Sequence, residues 1–175
     1  MKTLNLIPGC LFVVASVTSA AEQPRHQFHL GAGALSAPYV AVWMGNALVS
    51  GLSNGQIDDH VSSTGTRSGG YSYRLNSNTR LGTSYVREKI NGSTLRSWQL
   101  DFQHDYVPNP GYTAYSGLSL SRVAIKHQNG DATDHATGFQ LDLLGLRKES
   151  GPLYGYLALG VGFEGGLHGG LGVQF

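Results

Sequence analysis

Apolar and polar residues alternate with a period of two along most of this chain. The clearest stretch places Trp98, Leu100 and Phe102 on one face, with the intervening polar residues on the other. Such alternation predicts strands that keep one face in apolar surroundings. Eight segments show it, at residues 27–35, 67–75, 79–89, 94–106, 111–126, 136–148, 152–162 and 166–175.

The last two segments carry the pattern to the final residue. The alternation that puts Leu157 on the apolar face extends to Val161 and Phe163. In the eighth segment Leu171 and Phe175 share the corresponding face, while glycine and polar residues occupy the other. Phe163 and Phe175 are therefore both predicted to face outward.

The connections between these segments indicate how the strands are joined. Short connections are predicted at residues 76–78, 107–111 and 149–152, and the others at 36–66, 90–93, 127–135 and 164–166. Connections of two alternating kinds and an even strand number are typical of barrels that cross a membrane with both termini on the periplasmic side. The sheet must close, because an open edge in hydrocarbon would leave amides unpaired. We predict an all-β fold, an eight-stranded antiparallel transmembrane β-barrel.

The first connection is too long for a plain loop. Within it Tyr39, Val42, Trp43 and Ala47 follow helical spacing, which predicts a short helix at about 38–52. Residues 36–66 are either a binding element that meets an extracellular partner or a helix packed over the barrel mouth or at the interface. The pattern favours the packed helix.

Composition and the N-terminus set the compartment and exclude some function classes. Lys2, an apolar run at 10–17 and small residues at 18–21 predict a signal peptide over residues 1–21, which leaves 22–175 as the barrel domain. The only cysteine, Cys10, lies inside that peptide, so the exported part has no thiol. A net charge of +1 gives no electrostatic reason to expect nucleic acid. No stretch after the peptide is apolar for 18 residues, which excludes a helical span.

The inward face of the predicted strands is polar and charged. By parity it carries a lumen network of Arg74, Arg80, Glu88, Asp101, Asp142 and Glu164, joined by Gln99, Gln103 and His168. An eight-stranded barrel has room only for its own side chains, so these charges are expected to pair. Arg74 and Arg80 flank one turn and are expected to pair with Asp101 or Asp142. A structural polar plug is favoured, and a narrow path for ions or small solutes is the alternative.

The strand sequences resemble a known group of proteins. The stretches 28–33, 70–75 and 80–85 are similar to those of the small outer-membrane β-barrels of the opacity and outer-membrane protein A and X types. The ending 171–175 resembles the terminal strand that the barrel-assembly machinery reads in such proteins, with Phe175 last. The resemblance covers nearly the whole mature chain. It implies the outer membrane of a Gram-negative bacterium, with membrane lipid and lipopolysaccharide as surroundings.

Two further kinds of site are weighed against these residues. His127 and His135 bracket Asp131 and Asp134, which could bind a divalent cation, but the spacing matches no dedicated metal motif. A solvated loop is favoured there, and no metal or cofactor is expected. Lipid A-modifying enzymes on such barrels need a serine beside a histidine, and the nearest stretch, 127–129, lacks the serine.

We therefore expect a non-enzymatic, integral outer-membrane protein with a surface-interaction or envelope-structural role. The first alternative is a narrow pore for ions or small solutes. The second is a lipid A-modifying enzyme.

Overall fold

The structure, a computed structural model, describes residues 24–52, 61–106, 112–128 and 133–175. Those residues form eight strands and one helix, in the order β1 (His26–Ala34), α1 (Ala37–Leu52), β2 (Thr66–Arg74), β3 (Thr79–Ile90), β4 (Ser93–Asp105), β5 (Thr113–Lys126), β6 (Thr133–Ser150), β7 (Leu153–Gly162) and β8 (Leu167–Gln174). Each predicted strand is confirmed within a few residues. The predicted signal peptide, residues 1–21, lies outside the described residues.

The eight strands close into one antiparallel barrel in sequence order. Closure joins β1 to β8, with Cα partners from Gln27 and Gln174 to Ala34 and Leu167. Beyond this ladder His26 and Phe175 exchange two backbone hydrogen bonds of 3.0 Å. We call the end that carries His26 and Phe175 the terminal end, and the opposite end, which carries the connection from β1 to β2, the outer end. The predicted barrel fold is confirmed.

The two faces of the barrel wall have opposite chemistry. Leu30 and Leu171 each keep 74% of their surface exposed on the outside, and Trp98 keeps 66%. The interior is polar, and the fully buried side chains include Arg80 and Gln140. Alternation of apolar-out and polar-in residues is the pattern of a barrel whose outer wall meets lipid.

One irregularity in β6 changes which side chains enter the barrel. Going along β5, Gly117 pairs with Asp142 but Tyr115 pairs with Gly145, so β6 contains one residue more than its neighbour. The extra residue is Leu143, and both Leu143 and the following Leu144 face outward. Because strand side chains alternate, the bulge reverses the parity of the remainder of β6.

The predicted helix in the first connection is confirmed as α1. Ser36 caps its N-terminus, since the Tyr39 amide donates to the Ser36 hydroxyl at 3.2 Å. Tyr39 also packs against a cluster at the barrel mouth, whereas Val42, Trp43 and Met44 are exposed. The first turn of the helix is therefore attached to the barrel. No helix among the described residues is long and apolar enough to cross a membrane.

An apolar cluster lies at the outer end of the described barrel. Val61, Ile90 and Leu95 are buried there, with Tyr39, Ile125 and Phe163 packed against them. We call these six residues the mouth cluster. The expectation that Phe163 faces outward is wrong, because β7 ends at Gly162 and the chain turns there with a φ of 147°. Phe163 instead packs over Gly138, where a larger side chain would overlap its ring.

Candidate functional site in the barrel interior

Five charged side chains form an ion cluster at the terminal end of the interior. Arg80 donates from Nε to Asp105 Oδ2 at 3.0 Å, and Arg147 donates from Nη2 to the same oxygen at 2.7 Å. Arg147 also donates to Glu149 at 3.0 Å, and Glu149 lies within 4 Å of Arg74 and Arg80. Arg80, Asp105 and Arg147 are almost fully buried, so water screens these charges little.

A second group of titratable side chains lies deeper in the barrel. His168 Nε2 is 3.5 Å from Asp142 Oδ1 and 3.4 Å from Glu164 Oε2, so the histidine bridges two carboxylates. Gln140 positions both, because it donates to Asp142 at 2.8 Å and accepts from the Glu164 amide at 2.9 Å. We call His168, Asp142, Glu164 and Gln140 the central cluster. It holds a proton donor between two acceptors.

Glu164 lies in the connection between β7 and β8, outside the strands. Burial raises the pKa of its carboxyl group from 4.5 to about 7, although the neighbouring His168 opposes the shift. Burial thus favours the neutral form of this carboxyl group. Its backbone carbonyl also accepts from the Thr66 hydroxyl at 2.5 Å, which ties the connection to β2.

A small cavity lies between these two clusters. Its volume is about 80 Å³, and its lining includes His29, Arg80, Asp101, Asp142 and His168. A cavity of this size and polarity has room for a few water molecules.

The predicted lumen residues all lie inside the barrel but do not form one network. Arg74 and Arg80 belong to the terminal-end ion cluster. Asp142 and Glu164 belong to the central cluster, and Asp101 lines the cavity beside it. Glu88 lies apart at the outer end, where it accepts 2.6 Å hydrogen bonds from the Ser36 and Ser63 hydroxyls.

The expected pairing of Arg80 with Asp101 or Asp142 is wrong. Asp105 is its partner, and this residue follows Gln99, Asp101 and Gln103 at the same parity, so the alternation could have found it. Arg74 likewise lies beside Glu149.

Two further members of the ion cluster could not be predicted from the alternation of side chains along the strand. Arg147 and Glu149 enter the barrel only because the bulge at Leu143 reverses the alternation of β6. A regular strand would have turned both outward.

The other candidate residues are also located. His127 Nε2 and Asp134 Oδ2 are 2.9 Å apart at the exposed outer end, while Asp131 lies outside the described residues. Within the described ranges no group of three or more His, Cys, Asp or Glu side chains is arranged to hold a metal ion. The two serines of β5 that precede the 127–129 stretch, Ser119 and Ser121, are buried in the interior and face away from the outer wall.

Comparison with known proteins identifies the fold. No family model matches the chain, and no curated protein sequence does either. The crystal structure of the N-terminal β-barrel domain of Pseudomonas aeruginosa OprF superposes with a TM-score of 0.56 at 16% sequence identity. The match covers 87% of this chain and 100% of that domain. The chain thus has the fold of an outer-membrane barrel domain.

Proposed function

We propose that the chain is an integral protein of the Gram-negative outer membrane with a surface-interaction or envelope-structural role, and that it is not an enzyme. The observation that carries the proposal is that buried side chains occupy the described interior at both ends. Arg80, Asp105 and Arg147 fill the terminal end, and the mouth cluster fills the outer end. A plugged, side-chain-filled barrel is suited to anchoring rather than to passage.

The location in the membrane is supported by the outer wall. Large apolar side chains are exposed on the outer wall of every strand except β2. Contact of this surface with water would cost much free energy. Fractionation of cells tests the location. The protein should sediment with outer membranes and migrate differently on gels before and after boiling. A chain that remains soluble and monomeric without detergent would refute the proposal.

The role in surface interaction is supported by α1. Its exposed Val42, Trp43 and Met44 lie at the outer end, where a partner could reach them. Large aromatic and methionine side chains are enriched where proteins bind one another. Binding to host matrix or cells should fall when residues 36–66 are shortened, while heat-modifiable migration persists. Equal binding by the shortened chain would leave only the envelope-structural role.

Assembly into the membrane is proposed to depend on the last strand. Phe175 is exposed on the outer wall and stacks with His26 and Phe28, at centroid distances of 5.5 and 6.0 Å. We expect the barrel-assembly machinery to read this strand. Deleting Phe175 should reduce the amount of folded protein in the outer membrane. Phe28→Ala is the control, because it removes a neighbouring outward ring but leaves the terminus intact.

A narrow pore is the second candidate, and one observation favours it. Ser97, Gln99 and Ser121 are buried on the inner wall of β4 and β5, and their side chains have no hydrogen-bond partner among the residues that the structure describes. Such groups are costly unless water reaches them. Planar-bilayer recordings of the refolded protein separate the two candidates. Steady unitary conductance would favour the pore, and a silent bilayer would favour the plugged barrel.

The non-enzymatic role needs its own test. Lipid A from cells with and without the protein can be compared by mass spectrometry. Unchanged acylation is expected. A changed acyl chain that depends on expression would instead indicate a lipid A-modifying enzyme.

A further inference from the structure

Six cationic side chains lie together on one side of the barrel wall near the outer end. They point outward from β2, β3, β4 and β5, and all are exposed: Arg67, Arg87, Lys89, Arg96, Arg122 and Lys126. We call them the basic belt. The chain as a whole has a net charge of only +1, so the belt is a local segregation of charge.

The strand register shows that the belt is a continuous surface. Arg67 lies opposite Arg87, and Arg87 lies opposite Arg96 on the next strand. Lys89 and Lys126 both pair with Thr94, so these two lysines lie in the next row toward the outer end of the barrel. Like charges in directly opposed positions destabilise a sheet unless a counter-charge is present. A bound anion would therefore stabilise this arrangement.

No anion comes from the described protein. Across residues 61–106, 112–128 and 133–175, the ion pairs of the carboxylates go to other groups, and none includes a side chain of the belt. The nearest inward carboxylate, Glu88, is on the opposite face of β3 and is occupied by Ser36 and Ser63. No described carboxylate neutralises the belt, which leaves these side chains free to bind an anion from the surroundings of the barrel wall.

The rows of side chains between the belt and the middle of the barrel wall indicate the depth of the belt in the membrane. Leu100 and Leu120 form part of an apolar row, and the next row outward contains Tyr85, Trp98 and Arg122. The rings of Tyr85 and Trp98 are in contact, with centroids 5.1 Å apart. Aromatic girdles mark the boundary between hydrocarbon and headgroups in such barrels. The belt follows immediately, so its side chains point sideways into the headgroup layer.

The belt is confined to one side. On β6 the positions opposite its rows are occupied by His135 and Thr133, and on β8 the outermost outward residue is Leu167. Four strands spaced by about 4.8 Å give the belt a width of roughly 14 Å. A surface of this width, with arginines suited to bidentate contact, fits a headgroup that carries more than one phosphate.

We propose that the basic belt binds the phosphates of a lipid A-type glycolipid in the outer leaflet. The apolar rows contact its acyl chains, and the arginines contact its phosphates. This inference rests on the proposed outer-membrane location. The two proposals can fail independently, because cell fractionation tests the location and a lipid titration tests binding to the belt.

The test uses the refolded full mature chain in a zwitterionic detergent. Trp43→Phe leaves Trp98, which lies within the belt's lower row, as the only tryptophan and a fluorescent reporter. Bisphosphorylated lipid A is titrated against this protein and against the same protein carrying Arg87→Gln and Arg96→Gln. Each charge near a membrane surface contributes about fivefold in affinity, so the double change should weaken binding about 25-fold.

Two control variants separate charge from other effects. Arg87→Lys with Arg96→Lys keeps the charge and should retain most of the affinity. Lys148→Gln removes an exposed cation at the terminal end, beside the Tyr112 ring, and should leave binding unchanged. Folding of each variant is checked by heat-modifiable migration, and Arg122→Gln with Lys126→Gln replaces the first pair if that pair does not fold.

Three lipids decide the outcome. Lipid A without phosphates should bind at least tenfold more weakly than the bisphosphorylated form, and phosphatidylglycerol should also bind more weakly. Unchanged affinity in the glutamine variants would overturn the proposal. Equal binding of dephosphorylated lipid A, or equally tight binding of phosphatidylglycerol, would overturn the assignment of the belt to a multiply phosphorylated glycolipid.

Discussion

Asp105 Oδ2 accepts hydrogen bonds from two arginines at once, at 3.0 Å from Arg80 and 2.7 Å from Arg147. The three side chains come from β4, β3 and β6, and β6 is adjacent to neither of the other two strands in the barrel. Asp105 thereby links strands that are not adjacent in the barrel and closes the interior at its terminal end. Removal of one member of such a cluster lowers the free energy of unfolding strongly, because the remaining charges stay buried without a partner.

We expect Asp105→Asn to lower the free energy of unfolding by about 3–5 kcal/mol, since two buried guanidinium groups lose their shared carboxylate. Urea unfolding in detergent, followed by tryptophan fluorescence, measures the loss. Asp134→Asn is the matched control, because its partner His127 is exposed and the change should cost less than about 1 kcal/mol. Equal effects of the two variants would contradict the role of the cluster.

Deletion of Leu143 should prevent correct folding. The deletion removes the bulge, so Arg147 and Glu149 would turn toward lipid and Leu146 would turn inward. Heat-modifiable migration after refolding is the measurement. Leu143→Ala keeps the bulge and removes only an outward side chain, so it should fold. A deletion variant that folds as well as Leu143→Ala would show that the parity of β6 is not required.

The stability of the barrel should decrease as pH rises from about 4.5 to about 7 because of Glu164. Its pKa is raised to about 7 in the folded state, so the unfolded chain releases this proton at lower pH. Glu164→Gln removes that contribution. The difference in unfolding free energy between variant and wild type should therefore change by about 3 kcal/mol over this interval, in favour of the variant at higher pH. Parallel pH profiles would contradict the assignment.

The first turn of α1 should loosen in Ser36→Ala. The Ser36 hydroxyl accepts from the Tyr39 amide and donates to Glu88, so alanine removes both the cap and the link to β3. Loss of a cap costs about 1 kcal/mol, which corresponds to about fivefold faster amide exchange at Tyr39 and Val40. Ser63→Ala is the control, since it removes the other donor to Glu88 but no cap. Faster exchange in both variants would assign the effect to Glu88 instead.

Much of the wall could be predicted because a strand repeats every two residues. Trp98, Leu100 and Phe102 identify their own outward face, and turn residues mark where each strand ends. The helix was equally visible, since the spacing of Tyr39, Val42 and Trp43 differs from the strand period. These signals are local, so they need no knowledge of neighbouring strands.

The interior was only partly predictable. The alternation correctly predicted that Arg80, Asp101 and Asp142 face the barrel interior. It did not predict which of these side chains pair with one another. Arg80 and Arg147 share Asp105 only because closure brings β3 and β6 to face each other across the lumen. The position of Phe163 was wrong for a related reason, because the alternation does not show that the strand has ended at Gly162.

By itself, the sequence determined the eight-stranded barrel, its inward and outward faces and the short helix, because periodicity and turn residues act over a few positions. The tertiary structure alone decided the rest. It placed a bulge at Leu143, gathered Arg147 and Glu149 around Asp105, and aligned the cations of four strands into one belt. These features depend on register between strands, and register is a property of the closed sheet rather than of any one segment.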